Sequence, residues 1–187
     1  MEEMSIDEEI INNVNKVEMK LSNAKKDTAI LKVIKSYKDS YGVYNSTNYI
    51  GDHPIDRGIF GLGVTNELGA VSSQFSMAKE LNKRESEVYA RHYMIGISSC
   101  DWISDNNIRA ISYYMALFFW NRGYQTFYGI HKKEDRYHIH IIVNAYSITG
   151  NYKLPINKSL KIDYLHYLRS LNFEGKSLKI YEANGYY

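Results

Sequence analysis

Three histidines fall within ten residues of this chain, in the segment HKKEDRYHIHIIVN that runs from His131 to Asn144. Neutral imidazoles are ligands for divalent metal ions, and a set of three leaves coordination positions open, as catalysis requires. A metal ion with open positions can polarise the oxygen of an anion such as a phosphate. The spacing therefore predicts a catalytic metal site at His131, His138 and His140.

Two predicted strands explain how these histidines would converge. The segments QTFYGIH and YHIHIIVNA have the composition and alternation of strands, and the polar loop KKEDRY joins them. Because side chains alternate along a strand, His138 and His140 share a face, and the apolar residues between them form the core face. Pairing of the two segments as a hairpin places His131 beside His138. A single histidine on a strand is more often an ordinary polar residue, so the third histidine and the alternation carry the prediction.

The rest of the chain predicts an α+β fold with a central, largely antiparallel sheet and flanking helices. Residues 1–27 are predicted as an N-terminal helical extension, with Ser5 and Glu8 as a capping box, and residues 28–187 as one domain. Further strands are predicted at 28–37, 61–64, 92–98 and 177–182, and helices at 70–82, from Ser104 to Gly123, and from Ser159. The sequence GDHP, from Gly51 to Pro54, should end any helix before it.

Composition narrows the functional classes. A chain of 187 residues with 44% hydrophobic content fits one domain, and a net charge of +2 means that an anionic partner must meet a local patch. A single cysteine, Cys100, excludes an internal disulfide framework, and no leader or long apolar run is seen, so we expect a cytoplasmic protein without membrane contact. Tyrosine is abundant, with 18 residues, and its ring and hydroxyl suit base stacking and nucleophilic attack.

Beyond these arguments, the chain resembles the relaxase, or mobilisation nuclease, family of the HUH endonucleases, which nick single-stranded DNA at the transfer origins of plasmids and conjugative elements. The family signature is a histidine, a His-x-His pair seven and nine positions later, and an apolar run closed by asparagine; it is matched at His131, His138, His140 and Asn144. Upstream, STNYIGDHP is similar to the segment that carries the nucleophilic tyrosine, and FGLGVTNELGAVSSQF and ARHYMIGISS resemble the next two blocks. AYSITGNYKLPINKS is similar to the segment that follows the histidines. The resemblance runs from residue 28 to 180.

The resemblance implies a mechanism and residue roles. Tyr49 would attack the DNA phosphate, with Tyr44 as the second candidate, and leave a 5′-phosphotyrosine that permits rejoining. A divalent metal ion, Mg²⁺ or Mn²⁺, would be bound by the three histidines, and His92 and Asn144 would have supporting roles. The implied partners are single-stranded DNA of a transfer origin and the accessory proteins of a relaxosome.

DNA contacts are predicted from cationic and aromatic side chains near these segments. The cationic candidates are Lys132, Lys133 and Arg136 in the predicted loop, and Lys32, Lys35 and Lys38 near the nucleophile segment. The stacking candidates are Tyr37, Tyr41, Tyr128 and Tyr137.

The sequence departs from the family pattern at two places. Many relatives carry an acid two positions after the first histidine, where this chain has Lys133, so that the metal-orienting role of that acid would have to pass to Glu134 or Asp135. The N-terminal helix is also outside the usual pattern.

Three other functions are compatible with parts of the sequence. A rolling-circle replication initiator would use a tyrosine after the histidines, for which Tyr164 and Tyr167 are in position. A non-catalytic DNA-binding accessory protein would not need all three histidines. A structural metal protein would require a closed ligand set rather than an open one.

Overall fold

A computed structural model describes residues 6–22, 25, 27–52, 58–82, 86–98, 100–150 and 152–183. The elements follow in the order α1 (Ile6–Ser22), β1 (Thr28–Tyr37), α2 (Ser40–Asp52), β2 (Ile59–Leu62), α3 (Leu68–Leu81), β3 (Ala90–Ile97), α4 (Ile108–Trp120), β4 (Tyr124–Lys133), β5 (Arg136–Ser147), α5 (Lys158–Ser170) and β6 (Lys179–Glu182). The capping box predicted at Ser5 lies outside the described residues.

Within the described residues, six strands form one sheet in the order β2-β4-β5-β3-β1-β6. Every neighbouring pair is antiparallel except β1 and β6, which run parallel. The prediction of an α+β fold with a largely antiparallel sheet is therefore confirmed.

The two faces of the sheet are distinguished by the pairing of β3 with β5. Met94 pairs with His140 and Gly96 with His138, so these side chains share the histidine face, whereas Tyr93 points to the opposite face. On the opposite face, Tyr93 stacks on Phe119 of α4 at a centroid distance of 4.9 Å. Helices α4 and α5 thus cover one side of the sheet.

Helix α1 covers the histidine face, which the alternation alone had marked as the polar face. Its residues Ile10, Val17 and Leu21 are buried in a cluster with side chains of β1 and β3. A Cβ on Gly96 would lie 2.7 Å from both Leu21 and Val17, so a glycine at this position of β3 lets the helix approach the sheet. Both faces of the sheet are therefore buried, because α1 packs on the histidine face and forms a second apolar cluster there.

Helix α2 lies in the polar, tyrosine-rich segment. The sequence predicted that the GDHP stretch would end a helix, but it did not predict the helix itself. Asp39 begins the helix by accepting a hydrogen bond from the Gly42 backbone N–H at 2.8 Å. The helix ends at Asp52, within the GDHP sequence predicted to stop it. Its buried face includes Val43 and Ile50, and this face lays the segment against the sheet.

Candidate active site

The hairpin of β4 and β5 brings two of the predicted ligands together. His131 and His138 are direct partners in the antiparallel pairing, as the sequence predicted. The turn contains only Glu134 and Asp135, and Glu134 has a left-handed φ of 58°. The hairpin is therefore tighter than the predicted loop.

Four rings form the centre of the site. The centroids of His131 and His140 are 4.6 Å apart, and the ring of Tyr49 lies 5.6 Å from His131 and 5.9 Å from His140 in edge-on contacts. His131, His138 and His140 are 8%, 3% and 0% exposed, whereas Tyr49 is half-buried. The structure thus gathers the three histidines with the tyrosine that the resemblance singled out.

The end of α2 positions Tyr49 and fixes one histidine. His131 Nε2 donates a hydrogen bond to the carbonyl oxygen of Ile50 at 2.9 Å. This bond places the proton of His131 on Nε2 and leaves the lone pair on Nδ1. The second candidate nucleophile, Tyr44, is 42% exposed, and Tyr41 is 67% exposed. The structure brings neither of their rings into the cluster.

A buried chain of hydrogen bonds supports His140. His140 Nδ1 lies 3.0 Å from His92 Nε2, and His92 Nδ1 lies 2.9 Å from the hydroxyl of Tyr37, which also accepts a hydrogen bond from Ser46. If His140 donates through Nδ1, its Nε2 carries a lone pair toward the cluster, which is the tautomer that a metal ligand needs. His92 and Tyr37 thereby acquire a positioning role.

Helix α1 adds a carboxylate to the cluster. Glu18 is 8% exposed, and its Oε1 lies 2.5 Å from His138 Nε2. Its Oε2 lies 3.3 Å from Arg136 and 3.7 Å from Lys133 at the end of the hairpin. The sequence carried one signal for this residue, because position 18 is four residues after Val14 on the apolar stripe of α1, where an acid is unexpected.

Unpartnered buried atoms mark the same place. Glu18 Oε1, His138 Nε2 and His140 Nε2 are buried without a hydrogen-bond partner in the described structure. Glu18 Oε1 and His138 Nε2 instead form a short ion-pair contact with each other. A buried polar atom without a partner is costly, and one carboxylate oxygen with two imidazole nitrogens is a donor set that divalent ions accept. The chemical types of these donors therefore suit a divalent metal ion.

The donor atoms are not yet arranged as a finished ligand set. Among the described His, Cys, Asp and Glu side chains, no group of three could hold a metal ion as it stands. His131 turns its Nε2 to the backbone of α2, so it would have to bind an ion through Nδ1 or after rotation of the ring. The ligand set of three histidines stays a prediction.

Comparison with known families identifies the domain. The sequence profile of the relaxase family, described as the MobA/VirD2-like nuclease domain, matches residues 49–167, which is more than half of the chain. This chain belongs to the relaxase family. No curated protein and no solved structure matches it. The family consists of nuclease domains that act on DNA in mobilisation and are generally metal-dependent, and its matched region contains Tyr49 and all three histidines.

Burial keeps the imidazoles of this relaxase domain neutral. Desolvation, reinforced by His131, lowers the pKa of His92 from 6.5 to about 3. Desolvation and the neighbouring histidines hold the pKa of His140 well below its ordinary value. Burial also lowers the pKa of His138, although the nearby Glu18 acts in the opposite direction. Neutral imidazoles have the free lone pairs that metal ligation requires.

Asn144, predicted as a supporting residue, lies away from the cluster. Its side-chain amide donates to the carbonyl of Phe75 at 3.2 Å and to Gln125 at 2.8 Å, and its oxygen accepts from the backbone of Tyr146 at 3.0 Å. These bonds tie the end of β5 to α3 and β4. Asn144 therefore anchors the C-terminal part of β5 to its neighbours.

The cationic candidates separate onto different surfaces. Lys132, Lys133, Arg136 and Tyr137 belong to β4 and β5 rather than to a loop. Lys132 and Tyr137 pair with each other on the face opposite the histidines, and both contact Asp105, at 2.7 and 2.6 Å. These two side chains therefore do not adjoin the histidine cluster.

The other candidates lie on or near the histidine side. Lys133 and Arg136 face Glu18, whereas Lys35 is paired with Glu9 of α1 and Lys38 is exposed. The pKa of Lys32 is lowered, first by burial and then by repulsion from Lys16 and Lys20, which reveals a local concentration of positive charge.

The two acids of the hairpin turn are directed to solvent and to Arg136. Glu134 pairs with Arg136 at 3.1 Å, and both Glu134 and Asp135 are exposed. The carboxylate that touches a predicted metal ligand is Glu18 instead, on an element far away in sequence.

The tyrosines that an initiator would use lie on the wrong side of the sheet. Tyr164 is fully buried, donates to the carbonyl of Met115 at 3.0 Å and packs edge-on against Tyr93. Tyr167 donates to the carbonyl of Tyr114 on α4. Both rings are separated from the histidine cluster by the sheet.

None of the described helices combines the length and the apolar character that crossing a bilayer would take.

Proposed function

We propose that this relaxase domain nicks single-stranded DNA at a transfer origin through attack by Tyr49, and later rejoins the strand. The observation that supports this function is the contact of the Tyr49 ring with His131 and His140, at 5.6 and 5.9 Å. No other candidate nucleophile among the described tyrosines makes a ring contact with these two histidines.

In the proposed reaction the Tyr49 oxygen forms a bond to phosphorus, and the bond from phosphorus to the 3′ oxygen breaks. The hydroxyl loses its proton, and the departing 3′ oxygen gains one. The products are a 5′-phosphotyrosine and a free 3′ hydroxyl, so the energy of the phosphodiester is stored for rejoining. A tyrosine hydroxyl has a pKa of about 10 and needs an activated phosphate.

His131, His138 and His140 would hold the divalent metal ion, for which we propose Mg²⁺ or Mn²⁺. When bound, such an ion withdraws charge from a phosphate oxygen and makes the phosphorus more electrophilic. The histidines contribute neutral nitrogens, and the contact with His92 fixes the orientation of the His140 ring.

The DNA would approach on the side of Tyr49, which is the most exposed of the four rings. Lys133, which faces Glu18 on this side of the sheet, and Lys38, which is exposed just after β1, are our candidates for phosphate contacts, together with the charge around Lys32. We place the reaction in the cytoplasm, with relaxosome accessory proteins as candidate partners.

Covalent capture tests the proposal. An oligonucleotide that carries the cognate origin, incubated with the protein and Mn²⁺, should give a slowly migrating adduct on a denaturing gel. The adduct should disappear in Tyr49→Phe, which removes the nucleophilic oxygen, and in His138→Ala, which removes a ligand. Tyr44→Phe, on the same helix but outside the cluster, is the matched control and should keep the adduct.

The same experiment separates the other functions. An adduct that survives Tyr49→Phe but is lost in Tyr164→Phe or Tyr167→Phe would indicate an initiator. The absence of an adduct with any divalent metal, while the oligonucleotide still binds, would indicate an accessory DNA-binding protein.

A further inference from the structure

Glu18 is buried in a position that its ion pairs explain only in part. Its Oε2 faces the cations of the hairpin, Arg136 at 3.3 Å and Lys133 at 3.7 Å. Its Oε1 points to the other side, lies 2.5 Å from His138 Nε2 and has no hydrogen-bond partner. The two oxygens of one carboxylate are therefore divided between a cationic neighbour and the histidine cluster.

The contact between Glu18 Oε1 and His138 Nε2 joins two acceptor atoms, and either a proton on the imidazole or a metal ion can stabilise it. With the proton of His138 on Nδ1, Oε1 and Nε2 bring two lone pairs together at 2.5 Å. A cation that both atoms contact would turn this repulsion into attraction. His140 Nε2, the third buried atom without a partner in this cluster, is a further donor to the same cation.

The packing of α1 holds the carboxylate in this place. Val17 and Leu21, on either side of Glu18 in sequence, are 0% and 2% exposed and pack against Gly96, the residue that pairs with His138. Asn13 of the same helix donates to the carbonyl of Ile34 on β1 at 3.0 Å. Glu18 is thus fixed by the buried face of a helix rather than by a mobile side-chain contact.

We propose that Glu18 is an additional ligand of the divalent metal ion, supplied by α1 through Oε1 beside His138 Nε2 and His140 Nε2. The inference rests on the proposed function and extends it, since the family match begins at residue 49 and does not include α1. Oxygen ligands suit Mg²⁺ and Mn²⁺ better than an all-imidazole set does, so the carboxylate would bias the site toward these ions.

Isothermal titration of the metal-free, 187-residue protein with Mn²⁺ tests this role without a DNA substrate. Glu18→Gln keeps the size of the side chain and removes the charged oxygen, and it should weaken binding by about 10–100-fold, the range found when metal-site partners are removed. Glu18→Asp keeps the charge but shortens the reach, so a true ligand should also lose affinity there. Glu9→Gln, on the same helix and paired with Lys35, is the control and should bind Mn²⁺ as the wild type does.

The outcomes distinguish this inference from the proposed function. If His138→Ala abolishes Mn²⁺ binding while Glu18→Gln binds normally, Glu18 is not a ligand and the histidine site stands. Tighter binding in Glu18→Gln would show that the carboxylate competes with the metal and would also overturn the inference. If Glu18→Asp keeps the affinity for Mn²⁺ while Glu18→Gln loses it, Glu18 acts only through its charge and is not a ligand. If the wild type itself binds no Mn²⁺, the metal site of the proposed function fails as well.

Discussion

At the scale of single residues, the site depends on which ring atom of each histidine is available. The sequence predicted the three imidazoles and Tyr49, because strand alternation and a recurring motif are visible in one dimension. It did not predict Glu18 or the direct contact of His92 with His140, because both arise from elements that meet only in the folded chain. His92 was a supporting candidate only because it lies in the segment ARHYMIGISS, which resembles a family block. Its hydrogen bonds to His140 and Tyr37 give a physical reason for that role.

A substitution at His92 tests the positioning chain. His92→Phe removes the group that holds the Nδ1 of His140, so Mn²⁺ affinity should fall by roughly 10–100-fold in calorimetric titration. His92→Gln retains a carbonyl that can accept from His140 and should recover part of that affinity. His166→Gln alters an exposed histidine on α5 and serves as the control. Wild-type affinity in His92→Phe would contradict the positioning role.

At the scale of elements, the strands were easier to predict than their contacts. The prediction for β1 coincides with the observed strand, and the pairing of His131 with His138 follows from the hairpin. The amphipathic pattern of α1 predicted a helix but could not tell which surface would receive it. The receiving surface contains Gly96, whose missing side chain has no periodic signature.

The contact between α1 and Gly96 can be tested through its effect on the free energy of unfolding. Gly96→Ala would place a Cβ at 2.7 Å from Val17 and Leu21, so α1 must shift, and the free energy of unfolding should fall by about 1–3 kcal/mol, as in other overpacked cores. The amides of α1 should also exchange hydrogen faster. Gly69→Ala is the matched control, because nothing lies within 4 Å of its added Cβ and alanine favours a helix by about 0.5–1 kcal/mol. Equal destabilisation by both substitutions would contradict the assignment of Gly96 as the docking point of α1.

At the scale of the whole molecule, the catalytic candidates lie between the sheet and the layer of α1 and α2. The opposite layer, α4 and α5, contains Tyr164 and Tyr167, the tyrosines of the initiator alternative. Sequence order could not assign these layers, since a helix after the histidines can pack on either face. The net charge of +2 likewise conceals the local positive charge around Lys32.

The enclosure of neutral histidines between two layers makes the stability of the whole molecule sensitive to acid. The pKa of His92 is about 3 in the folded protein, against an ordinary value of 6.5, and those of His138 and His140 are also lowered. Between pH 6.5 and about pH 3, the unfolded chain binds a proton at His92 that the folded chain excludes. The resulting loss of stability is therefore absent above about pH 6.5 and grows as the pH falls toward 3.

Urea unfolding of the metal-free protein, with a chelator present, should show this dependence. The free energy of unfolding should fall between pH 7.5 and pH 5, and each excluded proton contributes a slope of up to about 1.4 kcal/mol per pH unit. His92→Gln removes one such group, so its curve should be flatter than that of the wild type even if its stability at pH 7.5 is lower. A wild-type protein as stable at pH 5 as at pH 7.5, or an equally steep curve for His92→Gln, would mean that water reaches these imidazoles in the folded state.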